Sequence, residues 1–253
     1  IDPVQAYLAE LDQTVVATSE VPLDGRRSQV RTVETNQGNL NADALLWQAR
    51  QLAGQFGVPA ADVALQNGGG IRNDSIIPAG EITQLDTFDM LPFPNFVSVF
   101  EDLGRENLKE ILENAVSRVE FTDGRFAQVA GLRFRYDPDG IAQELDADGN
   151  VVTAGTRVRE VVLMDEPQTV LVADGEVVPG EGITLATIDF LARGGDQYPF
   201  RGQPFTILGV SYQQALASYI TDGLGGLITA ADYPAGGEGR IVTEGTVAIE
   251  GPG

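Results

Sequence analysis

The segment Val63-Ala64-Leu65-Gln66-Asn67-Gly68-Gly69-Gly70-Ile71-Arg72, VALQNGGGIR, runs a short apolar stretch into three consecutive glycines. The first five residues read as a short buried strand. The glycines fall at its C-terminal end, where ligands dock in layered α/β structures. A turn needs one glycine or two, and three in a row cost conformational entropy that another interaction must offset. Gly68, Gly69 and Gly70 let a backbone pass close to a flat ligand or a phosphate. Arg72, two residues on, can hold an anion in its guanidinium fork. The same residues taken alone also fit a wide turn with a surface arginine. No Gly-Lys-Ser/Thr follows, so this is no Walker loop, and the spacing is not GxGxxG.

Upstream, RTVETNQGNL (Arg31 to Leu40) reads as a turn at Asn36 and Gly38-Asn39 that enters a helix. Simple N-capping explains it, although the helix N-terminus also favours an anion. GNLNADALLWQARQLAGQFG then has amphipathic spacing, with Leu45, Leu52 and Phe56 on one face and Gly57 as a stop. Before it, Asp2 caps a helix to about Asp12 with Val4, Leu8 and Leu11 on one side, and TVVATSEVPLDG is extended. Downstream, EITQLDTFDML reads as helical, FVSVFED as a strand, and GRENLKEILENAVSRV as a helix burying Leu108, Ile111, Leu112, Ala115 and Val116. From Phe126 the pattern turns to strands: AQVAGLRFRYD, RVREVVLM, TVLVADGEVV and ITLATIDF. A last helix covers about Tyr212 to Thr221. With no internal repeat and no long linker, one mixed helix-and-strand domain is expected.

Composition excludes several chemistries. Among 253 residues there is no histidine and no cysteine, which removes Ser-His and Cys-His catalysis, thiolate nucleophiles and most zinc, iron or copper sites. The net charge of −21 repels nucleic acids and anionic membranes, so neither is an expected partner. No apolar run approaches the roughly 18–20 residues of a membrane helix. The N-terminus shows no targeting segment and no initiator methionine, so the chain reads as a fragment or a processed product.

Two further segments bear on ligand chemistry. Leu91-Pro92-Phe93 sets an aromatic ring after a proline that fixes the local backbone. DFLARGGDQY (Asp189 to Tyr198) supplies a second ring at Phe190, a Gly-Gly turn and a carboxylate at Asp196. Two rings face to face can sandwich a planar heterocycle, and a carboxylate suits two vicinal hydroxyls. Each ring by itself is also an ordinary core residue. The acidic stretch with Asp137, Asp139, Asp146 and Asp148 lacks calcium-loop spacing and reads as a solvated hairpin. Asn73-Asp74-Ser75 is formally a glycosylation sequon.

Taken in order, RTVETNQGNLNADAL, NGGGIR, LPFPN, the LEN-containing helix, GRFAQVAGLRFRYD, DFLARGGDQYPF and a late EGRI resemble the C-terminal domain of the 5'-nucleotidases. That group includes UDP-sugar hydrolases and ecto-5'-nucleotidases, and the resemblance runs from about residue 15 to 243. It implies an α+β fold, a single domain of mixed β-sheet layers packed with helices over 13–253, with 1–12 as the end of an interdomain connecting helix. It also implies an N-terminal metallophosphatase domain, absent from this chain, that carries two divalent metal ions; no cofactor is expected in this chain itself.

By the same resemblance, Phe93 and Phe190 match the aromatics that sandwich the base, and Asp196 the acceptor for the ribose hydroxyls. Arg31 and Arg72 match the guanidinium groups reaching the phosphates, Asn67 the amide near base and sugar, and Gly68, Gly69 and Gly70 the backbone against the ligand. The implied partners are a nucleotide or nucleoside and the metallophosphatase domain of the same parent chain. The implied location is extracellular, periplasmic or cell-surface. Gln197 departs from the family, standing where many relatives carry a further glycine. Arg193 sits at a variable position, either as a phosphate contact or in solvent. A cyclic-nucleotide phosphodiesterase, a thiosulfate-oxidation relative or a non-catalytic module would share the fold.

Overall fold

The computed structural model describes residues 2–244. Its helices are α1 (Pro3–Gln13), α2 (Arg27–Val30), α3 (Asn36–Phe56), α4 (Gln84–Met90), α5 (Arg105–Val116), α6 (Asp189–Ala192) and α7 (Tyr212–Ser218). Two five-stranded sheets form the frame, joined by shorter two- and three-stranded pieces, and this mixture of sheets and helices is an α+β fold.

The sheet that positions the site has the order Thr206–Ser211, Phe96–Leu103, Ile183–Ile188, Val63–Asn67, Ala127–Ala130. Val63–Asn67 and Ile183–Ile188 are buried along their whole length, as expected for strands covered on both faces. They run parallel, with Leu185 opposite Val63. Phe96–Leu103 runs antiparallel to Ile183–Ile188, pairing Val97 with Ile188. Ala127–Ala130 is antiparallel to Val63–Asn67, pairing Ala127 with Asn67. This register brings four segments to one edge of the sheet: the residues after Asn67, those after Ile188, those before Phe96 and those before Ala127.

Helix α3 packs on this sheet and on α7. The Thr35 hydroxyl caps it by accepting from Gly38 N at 2.9 Å, and Gly57 closes it in the left-handed region at φ 68°. The helix therefore begins at Asn36, not after the expected turn at Gly38-Asn39. Gly38 sits inside it because a Cβ there would lie 2.3 Å from Gln128 Oε1. The buried face runs through Leu40, Leu45, Ala49 and Ala53, while Leu52 is half-buried and Phe56 is exposed. Small alanines let α3 approach the sheet closely, which places the predicted Leu52–Phe56 end at its margin.

Other expectations shift at boundaries. EITQLDTFDML divides into a strand, Gly80–Thr83, and helix α4, because Thr83 and Asp86 form a reciprocal capping box. AQVAGLRFRYD is two strands broken at Gly131, φ 75°. In α1, Asp2 Oδ1 accepts from Val4 N at 3.1 Å, but of the predicted stripe Leu11 is buried while Val4 and Leu8 are exposed. The acidic stretch forms the hairpin Glu144–Leu145 with Val151–Thr153. Helix α7 ends at Ser218, and a wider turn carries the chain to Gly223.

Candidate functional site

The four segments at the sheet edge, with the turn that follows α2, enclose a cavity of about 420 Å³ lined by Arg31, Asn67, Gly69, Gly70, Arg72, Phe93, Pro94, Asn95, Gly124, Phe190 and Asp196. That volume suits a small organic ligand. Eight of the nine residues singled out from the sequence border this one cavity. The ninth, Gly68, does not.

The three glycines form a single 3₁₀ turn, and none has positive φ. Their value is close approach to other protein atoms. A Cβ on Gly68 would fall 2.2 Å from the Val30 carbonyl oxygen, and one on Gly70 would fall 2.3 Å from Gln66 Nε2. The expectation that all three clear space for a ligand is corrected here: Gly68 clears space for the end of α2, and so for the turn carrying Arg31. Gly69 and Gly70 line the cavity while packing against Gly124 and the Gln66-Asn67 amides.

Arg31 is 8% exposed, and its Nε has no hydrogen-bond partner among the described residues. Burial pushes its pKa down, Arg27 and Arg72 push the same way, and Asp196 and Asp123 oppose them. Neither Arg31 nor Arg72 belongs to an ion pair among the described residues. Two unpaired guanidinium groups on one wall, one of them desolvated, make a place where an anion lowers the energy. Arg72 also stands 5.6 Å from the Phe93 ring centroid, a cation–π distance.

Phe93 and Phe190 are 41% and 42% exposed, large for phenylalanine, and both border the cavity. Gly195 lies against the Phe190 ring, where a Cβ would approach to 2.6 Å. Asp189 Oδ1 accepts from Phe96 N at 2.9 Å and ties α6 to the strand that follows Phe93.

Asp196 has a left-handed backbone, φ 52°. Asn67 Nδ2 donates to Asp196 Oδ2 at 2.6 Å, and Gln66 Nε2 donates to Asn67 Oδ1 at 2.9 Å. This relay fixes the Asn67 amide and aims the carboxylate, which leaves Asn67 as much a positioning group as a ligand contact. Asn114 Nδ2 donates to the Asp196 carbonyl at 3.2 Å, and Arg125 links Asn114, Ser117 and Gln197. Gln197 also has positive φ, 58°, a conformation that favours glycine; Arg125 Nη2, donating to Gln197 Oε1 at 2.9 Å, holds it here. Arg193 lies outside the cavity with its guanidinium 5.5 Å from the Phe205 ring centroid.

The sequence reading missed Asn95 and Gly124 on the wall and Gln66, Asn114 and Arg125 behind it. LPFPN contains Asn95, GRFAQ contains Gly124 and Arg125, Asn114 lies in the LEN helix and Gln66 precedes Asn67, but their roles follow from how these segments meet in the fold. The sequon asparagine is occupied: Asn73 Oδ1 accepts from Gln37 Nε2 at 2.7 Å, and its Nδ2 donates to Gln37 Oε1 at 3.2 Å.

The cavity thus brings two exposed aromatic rings, two unpaired arginines and a fixed carboxylate together in one place. A profile of the family described as 5'-nucleotidase, C-terminal domain, matches residues 15–203. The chain belongs to this family. It is 34% identical over 198 residues to the trifunctional nucleotide phosphoesterase protein YfkN of Bacillus subtilis, covering 78% of this chain and 12% of that protein. It is 29% identical over 177 residues to protein UshA of Escherichia coli, covering 70% of this chain and 25% of that protein. Among solved structures, the 5'-nucleotidase precursor of Thermus thermophilus superposes with a TM-score of 0.75 at 33% identity, over 95% of this chain and 42% of that one. The chain thus spans between about an eighth and a quarter of these curated relatives' length.

Proposed function

We propose that this chain is the nucleotide-gripping part of a 5'-nucleotidase-type phosphoric ester hydrolase. Phe93 and Phe190 stack the base, Asp196 accepts the ribose hydroxyls, and Arg31 with Arg72 receives the phosphate. The carrying observation is Arg31, a buried guanidinium with an unpartnered Nε that borders the same cavity as two exposed phenylalanine rings.

Hydrolysis in this reading belongs to two divalent metal ions on a metallophosphatase domain of the same parent, and this chain positions the substrate for them. The donor set here does not fit such a centre: among the described residues no group of three or more His, Cys, Asp or Glu side chains is arranged to hold a metal. This chain is proposed to be inactive by itself. The parent is proposed to work outside the cytoplasm, as the family resemblance implies. The boundary near residue 13 is likewise a proposal, supported by α1, whose residues are exposed apart from Leu11.

Titration of the chain with adenosine and AMP, followed by NMR, tests the reading. The expected dissociation constant for adenosine is on the order of 0.1–10 mM, since one stacked base and a few hydrogen bonds supply only a few kcal/mol. Phe93→Ala or Phe190→Ala should abolish binding, and Arg72→Ala should weaken AMP more than adenosine. With divalent cations added, no phosphate should be released. Equal losses for both ligands in Arg72→Ala would show that its guanidinium does not serve the phosphate.

A further inference from the structure

The geometry points to Tyr212 as the positioning residue that holds the Phe93 wall of the cavity against the Gly69-Gly70 wall. The inference rests on the nucleotide-site reading above.

Tyr212 is fully buried and does not line the cavity itself. Its hydroxyl donates to the Gly70 carbonyl at 3.2 Å and accepts from Phe93 N at 3.0 Å, while its own backbone N donates to the Asn95 carbonyl at 2.9 Å. One residue thus joins both walls. Pro92 and Pro94 flank Phe93 and have no N–H, so the Phe93 amide is the one backbone donor in that tripeptide, and Tyr212 satisfies it. A hydroxyl can donate and accept at once, whereas a phenylalanine ring of the same shape leaves both backbone groups without partners.

The position of Tyr212 is itself fixed. It opens α7 directly after Ser211, whose hydroxyl accepts from Gln214 N at 3.1 Å, while Ser211 N donates to Gln214 Oε1 at 3.0 Å. The next residue, Gln213, donates from Nε2 to Thr87 Oγ1 at 2.8 Å on α4, the helix that ends just before Leu91-Pro92-Phe93. Arg72 N donates to the Met90 carbonyl at 2.9 Å and closes the ring of contacts. Burial, the largest influence, holds the Tyr212 phenol well above its ordinary pKa, so it stays a donor throughout the working range.

The test combines amide hydrogen exchange with titration of the wild-type chain and Tyr212→Phe. In the wild type, the Phe93 amide should be protected. In Tyr212→Phe, exchange should rise at Phe93 while α7 and the strand Ile183–Ile188 keep their protection. Adenosine should then bind about tenfold more weakly, with the AMP-to-adenosine affinity ratio unchanged because the arginines are untouched. Unchanged adenosine affinity in the variant overturns the proposal and leaves the nucleotide site standing. A wild-type Phe93 amide exchanging like a free loop amide also overturns it, with no variant needed. Exchange raised across α7 and the sheet makes Tyr212 a general stability residue and overturns it as well. A wild-type chain that binds neither adenosine nor AMP overturns both readings together.

Discussion

Gly68 acts through the side chain it lacks. Its missing Cβ admits the Val30 carbonyl oxygen, which belongs to the turn presenting Arg31, so a glycine in one segment decides where a guanidinium in another can stand. Backbone cannot move aside as a side-chain tip can. Gly68→Ala should cost about 2–3 kcal/mol of stability, as overpacking in a close-packed interior does. Chemical denaturation reads this directly, and an unchanged midpoint would mean that the α2 turn yields freely. At this scale the sequence pointed to residues that come to border one cavity, and it did so through the family resemblance, since each ring, arginine or glycine taken alone also fits a core, a surface or a turn. It did not reveal that Gly68 and Gly70 face protein atoms, since GGG reads the same whether its neighbour is a ligand or a carbonyl. The supporting amides Gln66 and Asn114 were invisible for the same reason.

Elements with their own period were legible, and the contacts between them were not. Helix α5 and the strand Val63–Asn67 declare themselves by spacing and by a continuous apolar run. By contrast, the parallel pairing of Val63–Asn67 with Ile183–Ile188 joins segments over a hundred residues apart, and no local pattern encodes it. That pairing assembles the site. The loop before Ala127 shows how such an edge is held. Asp123 accepts from Arg118 Nε at 3.0 Å, Arg125 N at 3.1 Å and Arg125 Nε at 3.2 Å. Burial tends to raise its pKa, but the Arg125 N–H, the Arg125 charge and the side-chain hydrogen bonds from Arg118 and Arg125 outweigh it, leaving Asp123 below the ordinary 3.8 of an aspartate. A carboxylate with a depressed folded pKa stabilises the fold fully above its unfolded pKa, and the gain fades as pH falls through the folded one. The stability gap between the wild type and Asp123→Asn should therefore be constant above about pH 5 and shrink below 3.8. A gap that stays the same down to about pH 2 would show that the loop does not depend on this charge.

Across the whole molecule the question is how an anion reaches two arginines on a chain of net charge −21. Distance decides. In water a charge pair about 20 Å apart is worth about 0.2 kcal/mol, so −21 spread over the surface opposes each negative charge by about 4 kcal/mol before screening. With a Debye length of about 30 Å at 0.01 M salt and about 8 Å at 0.15 M, roughly half of that repulsion survives at the lower salt and a tenth at the higher. A phosphate about 4 Å from a partly buried guanidinium keeps most of its attraction over the same range, because buried charges are screened far less than exposed ones. The site should thus invert the usual behaviour of a cationic pocket: AMP should bind at least about tenfold more tightly as salt rises from about 10 to about 150 mM, because about 1.6 kcal/mol of repulsion per negative charge is screened away, while uncharged adenosine stays flat. Calorimetric titration of both ligands at the two salt levels reads the difference. A steady loss of AMP affinity with salt would mean that the arginine contact is solvent-exposed and that the acidic surface does not reach the cavity. The sign of the response therefore tells a desolvated anion pocket from a surface patch, a distinction that neither net charge nor an arginine count can make.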